Sequence, residues 1–172
     1  IEDLASPKWQ GRVCSRKGSH VYNRAVLASL IAHNGEEAAK NWTLGLVDNL
    51  ARRPQGNDRA QAKAIYSGQC DLALMNTYYY GKMKFAKDKP EQQKWANAIE
   101  IAFFNQDGRG QHVNISEAGI TKGSKKKDVA RAFLEWVTSE EAQQIYTKVN
   151  FEYPVNPNSK LSDEVASWGT FK

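Results

Sequence analysis

Four tyrosines of this chain lie where predicted strands end, a position from which side chains can reach a ligand. Tyr78, Tyr79 and Tyr80 stand side by side in the stretch MNTYYYGKM and directly follow the apolar run at residues 72–75. Tyr22 follows another predicted strand, in the stretch GSHVYN. Consecutive side chains of a strand alternate between its two faces, so three phenols in a row cannot all enter one core.

Phenol chemistry indicates what such a cluster could bind. A deprotonated phenol oxygen is a hard, strongly donating ligand, and tyrosine is among the residues that hold ferric haem iron in proteins. A free phenol has a pKa of about 10, so its deprotonation near neutral pH requires a strong Lewis acid. The residue types therefore favour a site for a highly charged cation, although an aromatic cluster lining an apolar contact explains them equally well.

The elements around these tyrosines alternate between strands and helices. Apolar runs predict the strands, and amphipathic spacing with capping residues predicts the helices. Asp58 is the predicted cap of the third helix, and Thr138 with Glu141 predicts a capping box for the last one. The predicted strands cover residues 12–16, 70–75, 99–104 and 112–121, and the predicted helices cover residues 22–32, 36–51, 58–67, 90–97, 128–137 and 140–149.

This alternation predicts an α/β fold with a mostly parallel sheet flanked by helices. Ligands of open α/β sheets bind outside the carboxyl ends of the strands, so Tyr22 is expected to converge with Tyr78 and Tyr79 on one crevice. The apolar stripe of the helix at residues 128–137, which includes Val129, Phe133 and Trp136, is expected in the core.

Length and charge limit the possible classes of protein. With 172 residues the chain is one ordinary domain or a large piece of two. The net charge of +5 permits an anionic partner, but the one dense basic run, KGSKKK at residues 122–127, is typical of a solvated loop. We therefore predict no nucleic-acid binding. No apolar run approaches the roughly 20 residues of a membrane span, so no stable membrane insertion is predicted.

Catalytic signatures are weak. The chain has neither a GxSxG elbow nor a glycine-rich phosphate loop. Ser19 beside His20 is the candidate pair for a hydrolase, but adjacency in sequence is not the geometry that nucleophilic catalysis requires. A binding protein is therefore favoured over an enzyme.

The two cysteines, Cys14 and Cys70, each fall in a predicted strand. They lack CxxC spacing and are too few for a zinc site of four thiolates. A disulfide between them would indicate an oxidising compartment, and two buried free thiols are the alternative.

Several stretches together resemble the periplasmic ferric-ion-binding proteins of bacterial iron ABC transporters. They cover nearly the whole chain in the order of that family, and NTYY after the strand is the most specific of them. Members of the family are roughly twice as long, so this chain resembles their second half and reads as a fragment or a processed product. The stretches are DLASPKWQGRV, GSHVYN, GNDRAQAKAIYSGQCDLALMNTYYYGKM, GQHVNISEAGITKGSKKKDVARAFLEWVTSEEAQQIY and NFEYPVNP.

The resemblance implies a type II periplasmic-binding-protein fold, with two α/β lobes and ferric iron in the cleft between them. Residues 1–108 would form the second lobe, residues 109–154 would cross back to the first lobe, and the tail at residues 155–172 would return. The resemblance also favours a disulfide between Cys14 and Cys70.

The family's paired tyrosines correspond to Tyr78 and Tyr79, and its third tyrosine corresponds to Tyr22. Tyr80 has no ligand role in this correspondence and is expected to pack. Arg16 and Ser19, near Tyr22, could hold the synergistic anion, such as carbonate, that some members use.

The resemblance further implies a periplasmic, non-catalytic protein that delivers Fe³⁺ to an inner-membrane ABC permease and is a monomer when full length. The alternative within the same fold is another solute, such as thiamine, a polyamine or an oxyanion. A hydrolase is the alternative from a different class.

Overall fold

Two short parallel strands form the sheet of this chain, which is described by a computed structural model of all 172 residues. In strand β1 (Val13–Cys14) and strand β2 (Leu72–Ala73), Val13 lies opposite Leu72 and Cys14 lies opposite Ala73. On the other side of β1, Leu50 forms a parallel bridge with Val13. The chain divides into two compact units, residues 1–114 with 171–172 and residues 115–170.

Five helices belong to the first unit. They are α1 (Val21–Asn34), α2 (Glu36–Asp48), α3 (Asp58–Tyr66), α4 (Thr77–Lys84) and α5 (Pro90–Ala96), preceded by 3₁₀ turns at Glu2–Ala5 and Pro7–Trp9. Gly35 separates α1 from α2 with a φ of 83°, a conformation that glycine adopts without steric cost. Helix α1 thus follows β1 in the chain, and α4 follows β2.

The core of the first unit consists of three small apolar clusters. Leu30, Ala39 and Trp42 join α1 to α2, and Ala62, Met83 and Ala96 join α3 to α4 and α5. The third cluster contains Cys14, Ala64 and Cys70, and here the two cysteines form a disulfide with a Cα–Cα distance of 5.9 Å. Covalent and apolar contacts therefore fix β1 against the segment that leads into β2.

The second unit is built from helices α6 (Lys127–Val137), α7 (Glu140–Ile145) and α8 (Asp163–Ser167), with a π-helical turn at Tyr146–Asn150 after α7. Polar side chains connect these elements. Buried Gln143 donates to the Val137 carbonyl at 2.8 Å and accepts from the Val155 N–H at 2.8 Å. None of the helices in either unit combines the length and apolar character that crossing a membrane requires.

The predicted α/β class with a parallel sheet is confirmed, but two predicted strands are wrong. Residues 99–104 and 112–121 form no ladder. A strand is defined by pairing with a neighbour, and no other segment of this chain pairs with either one. The apolar, β-branched composition of these segments therefore predicts more strands than the sheet contains.

Three local predictions also require correction. Tyr78, Tyr79 and Tyr80 lie in helix α4, which is absent from the predicted set of helices. Asn57, not Asp58, caps α3 by accepting from the Ala60 N–H, and Ser139, not Thr138, caps α7 by accepting from the Ala142 N–H. In both helices the capping side chain is the immediate neighbour of the predicted one. An N-cap side chain must accept a hydrogen bond from a backbone N–H two or three residues later, and only the neighbour has that geometry.

The apolar stripe of α6 is not core within this chain. Val129, Phe133 and Trp136 are 67%, 58% and 43% exposed, and α6 has no buried residue. The predicted helix is present, but no other element of the second unit covers its apolar face.

Candidate metal-binding site

Tyr22 and Tyr78 occupy equivalent places in the two strand–helix connections. Each is the second residue of the helix that follows a strand, α1 after β1 and α4 after β2. Because β1 and β2 are parallel neighbours, both helices begin at the same edge of the sheet. The two phenol oxygens lie 3.2 Å apart and share a hydrogen bond. Residues 56 positions apart in sequence are thus brought together, as predicted.

Tyr79 completes the group of phenols. Its ring stacks on that of Tyr78 with centroids 4.2 Å apart and an interplanar angle of 29°. Tyr80 instead packs against the buried cluster that contains Ala62 and Met83. The helical conformation of the three tyrosines explains this division, since each residue turns by about 100° relative to the one before it. The predicted helices did not include this segment.

The electrostatic surroundings keep Tyr78 protonated in the absence of a cation. Burial raises the pKa of Tyr78 well above its ordinary value, and hydrogen bonds with Tyr22 and Tyr79 raise it further. Loss of the proton would leave a phenolate in a partly buried place, where a nearby cation would stabilise it. The N-termini of α1 and α4 favour negative charge in this place.

Each of the three phenol rings faces a cationic side chain. The Arg16 Cζ lies 5.1 Å from the Tyr22 ring centroid, and the Arg59 Cζ lies 4.8 Å from that of Tyr79. The Lys82 Nζ lies 5.2 Å from the Tyr78 centroid. One face of each ring is therefore in contact with a cation of the protein itself. Sequence reasoning did not identify Arg59 or Lys82.

Asp58 is a further residue that sequence reasoning did not assign to the site. It is 1% exposed, forms an ion pair with Arg16, and accepts a hydrogen bond from the backbone N–H of Asn76 at 2.9 Å. The sequence does contain a signal for this residue. Asn57 and Asp58 could both cap α3, but one helix needs only one cap, so the other side chain is available for a different contact. Arg16, expected to hold an anion, thus already faces a carboxylate, and Ser19 is exposed.

Other chemistry finds little support in the geometry. No group of three or more His, Cys, Asp or Glu side chains could hold a metal ion. His20 accepts from the Tyr22 N–H through Nδ1 at 3.3 Å and caps α1. That ring nitrogen is engaged by the backbone, so His20 has a structural role beside the exposed Ser19.

The fold is that of an α/β fragment of a type II periplasmic binding protein. The chain belongs to the family described as bacterial extracellular solute-binding proteins, whose model matches residues 1–172.

Individual relatives and solved structures give a more specific comparison than the family does. Iron uptake protein A1 of Synechocystis is 46% identical over 171 residues, 99% of this chain and 47% of the relative. The ferric binding protein of Campylobacter jejuni has a TM-score of 0.94 at 42% identity, covering 99% of this chain and 54% of that structure. A Trichodesmium protein in complex with iron and citrate has a TM-score of 0.95 at 43% identity, with coverages of 99% and 54%. The chain therefore spans about half the length of the proteins it resembles.

Proposed function

We propose that this chain contains the tyrosine-bearing lobe of a periplasmic protein that binds Fe³⁺ and delivers it to an ABC permease of the inner membrane, without catalysis. Tyr22, Tyr78 and Tyr79 supply three phenolate oxygens. The observation that carries the proposal is the 3.2 Å contact between the Tyr22 and Tyr78 hydroxyls, with Tyr79 stacked beside them. Three phenolates balance the charge of one Fe³⁺ ion.

The chemistry of binding is an exchange of protons for metal. In the free protein the raised pKa of Tyr78 keeps its hydroxyl neutral and hydrogen-bonded. Fe³⁺ displaces that proton and those of its two neighbours, so the site changes little in net charge when it is filled. A site of this kind binds a trivalent ion more strongly than a divalent one, because a divalent ion leaves one phenolate charge unbalanced.

The names of the relatives support iron as the solute. Proteins matching nearly the whole chain are named for iron uptake or ferric binding, and one of the structures holds iron with citrate. A periplasmic location and a permease partner accord with that class of protein, as does the disulfide between Cys14 and Cys70. We propose a monomer for the full-length protein and no role in nucleic-acid binding.

Other solutes of the same fold fit less well. Thiamine or a polyamine would place positive charge against aromatic faces, but Arg16, Arg59 and Lys82 already lie over the three rings. An oxyanion would compete with Asp58 for Arg16. A hydrolase would need a nucleophile beside a free base, whereas His20 is engaged as a helix cap.

Ferric titration of the complete protein tests the proposal. Fe³⁺ bound by phenolates absorbs visible light, so the colourless protein should develop a band that saturates at one ion per molecule. Complexes of thiamine, polyamine or an oxyanion would remain colourless. A saturating titration without visible absorbance would contradict the assignment.

A further inference from the structure

The residue that precedes the tyrosine helix α4 does not cap it. Asn76 is at the N-cap position of α4, yet its side chain makes no capping hydrogen bond. An N-cap side chain ordinarily accepts from the backbone N–H of the second or third helical residue, here Tyr78 or Tyr79. Asn57, at the same position of α3, does accept from the Ala60 N–H. The amide oxygen of Asn76 is therefore engaged elsewhere.

Two contacts hold the Asn76 amide away from the helix. Its Nδ2 lies 3.3 Å from Asp58 Oδ2, and its Oδ1 accepts a hydrogen bond from Asn114 Nδ2 at 2.8 Å. A carboxylate only accepts hydrogen bonds, so the nitrogen of Asn76 faces Asp58 and its oxygen is left for Asn114. Oδ1 of Asn114 lies 3.3 Å from His112 Nε2, and the tautomer with a proton on that nitrogen donates to it. This contact turns the nitrogen of Asn114 towards Asn76.

The contact with Asn114 contributes little to the stability of the fold. Asn114 is exposed, and water can replace a hydrogen bond of an exposed amide at little cost. The contact instead determines what the Asn76 oxygen touches. The N–H of Tyr79 already donates to the backbone carbonyl of Asn76 at 3.3 Å, so the N–H of Tyr78 is the one that a released Asn76 side chain would accept from.

We propose that Asn114 is a positioning residue that keeps α4 uncapped at the ferric site. While Asn76 is held aside, the first-turn N–H groups of α4 retain their partial positive charge. That charge favours the phenolate forms of Tyr78 and Tyr79, which belong to the same turn. An amide oxygen placed over those N–H groups would reduce it. The inference rests on the proposed ferric site and adds to it a residue 38 positions from Asn76 in sequence.

Four variants of the complete protein test this role. Asn114→Ala removes the donor and allows Asn76 to cap α4. Asn76→Ala removes the side chain that could form the cap, and the double variant combines the two changes. Ser116→Ala is the matched control, because Ser116 is an exposed polar residue of the same segment whose hydroxyl donates to Glu152 instead.

Two measurements are made on each protein. Chelator competition with Fe³⁺, followed through the visible phenolate band, gives the affinity and the position of the band. Hydrogen exchange of the iron-free protein gives the protection of the Tyr78 amide. Asn114→Ala should bind Fe³⁺ about tenfold more weakly, the low end of the range for partners of metal ligands, with a shifted band. Its Tyr78 amide should exchange more slowly than in the wild type, because the cap protects it.

The double variant should show no further change relative to Asn76→Ala, since without the Asn76 side chain there is no cap for Asn114 to prevent. Ser116→Ala should match the wild type in both measurements. Asn114→Leu, which keeps the approximate shape of the side chain without its donor, should behave like Asn114→Ala and decides the matter if that variant does not fold.

Asn114→Ala binding iron like the wild type would overturn the inference. So would weaker binding with faster exchange at Tyr78, which is the result of a loosened helix, or an equal loss of affinity in the Asn76→Ala background. These outcomes leave the ferric site intact. Absence of a visible band in the iron-loaded wild type would contradict the proposed function, whereas slower exchange in iron-free Asn114→Ala would still show that Asn114 prevents the cap.

Discussion

At the scale of single residues, the three phenols at the start of α1 and α4 differ in their surroundings. Tyr78 lies in the middle, hydrogen-bonded to Tyr22 and stacked on Tyr79. Tyr80, directly after them, packs against Ala62 and Met83. Adjacent residues of one type therefore have separate roles, which provides a matched pair for mutagenesis.

Tyr79→Phe removes one donor oxygen and retains the ring that stacks on Tyr78. We expect loss or a clear shift of the visible phenolate band and at least a tenfold loss of affinity for Fe³⁺, because one of three anionic ligands is gone. Chelator competition followed by absorbance measures both. Tyr80→Phe is the control and should leave the band unchanged. Equal behaviour of the two variants would support a simple aromatic cluster.

Acid should weaken iron binding steeply. Burial and hydrogen bonds raise the pKa of Tyr78, so its hydroxyl is protonated at neutral pH and must lose that proton when the metal binds. Each phenol deprotonated on binding makes the affinity rise about tenfold per pH unit, so three phenols give a slope of about three decades per unit. Affinities measured between pH 5 and 8, roughly the range below the phenol pKa, give this slope. Tyr78→Phe should lower it by about one decade per unit, and an unchanged slope would exclude proton displacement at Tyr78.

At the scale of elements, the disulfide and the two parallel strands set the distance between α1 and α4. Cys14 belongs to β1, and Cys70 lies two residues before β2. The pair of bonded cysteines is buried among Ala64, Ile65 and Ala73. The covalent bond therefore stabilises the same strand pairing that brings Tyr22 to Tyr78.

Removal of this bond should destabilise the fold and loosen the site. The closed loop spans 56 residues, and a loop of that size contributes about 2–4 kcal/mol by constraining the unfolded chain. Replacing both cysteines by serine should lower the free energy of unfolding by about that amount in urea titrations. Mass spectrometry without reductant tests the bond itself. Two alkylatable thiols in the native protein would show that the bond does not form.

Sequence reasoning was strongest for elements defined locally. The helices around Tyr22 and after Asn57 follow from periodicity, caps and glycine stops, and the convergence of Tyr22 with Tyr78 follows from the parallel arrangement of β1 and β2. Composition could not show that residues 99–104 and 112–121 are not strands, because a strand is defined by pairing with a neighbouring segment. The contact between Arg16 and Asp58 joins residues 42 positions apart. No local pattern specifies such a contact. Asp58 was therefore predicted to be a helix cap, although its carboxylate pairs with Arg16.

At the scale of the whole molecule, the relatives are about twice the length of this chain. The type II fold places a second lobe across the cleft, and the division of residues 109–154 and 155–172 between the lobes remains a prediction. The compact units end elsewhere, at residues 114 and 170. A second lobe would supply further ligands and reduce contact of the iron with water.

Iron should accordingly be held more weakly by this chain alone than by a two-lobed protein that contains it. Fewer ligands and greater access of water both lower the affinity. Parallel chelator competition on the two proteins measures the difference. Equal affinities would mean that Tyr22, Tyr78 and Tyr79 with solvent ligands provide the whole site.

The central claim is that phenolates of this chain bind Fe³⁺, and resonance Raman spectroscopy of the iron-loaded complete protein tests it most directly. Excitation within the visible band enhances only vibrations of groups bonded to the metal. We predict enhanced tyrosinate ring vibrations that weaken in Tyr79→Phe and persist in Tyr80→Phe. An iron-loaded protein with no enhanced tyrosinate vibrations would contradict the account.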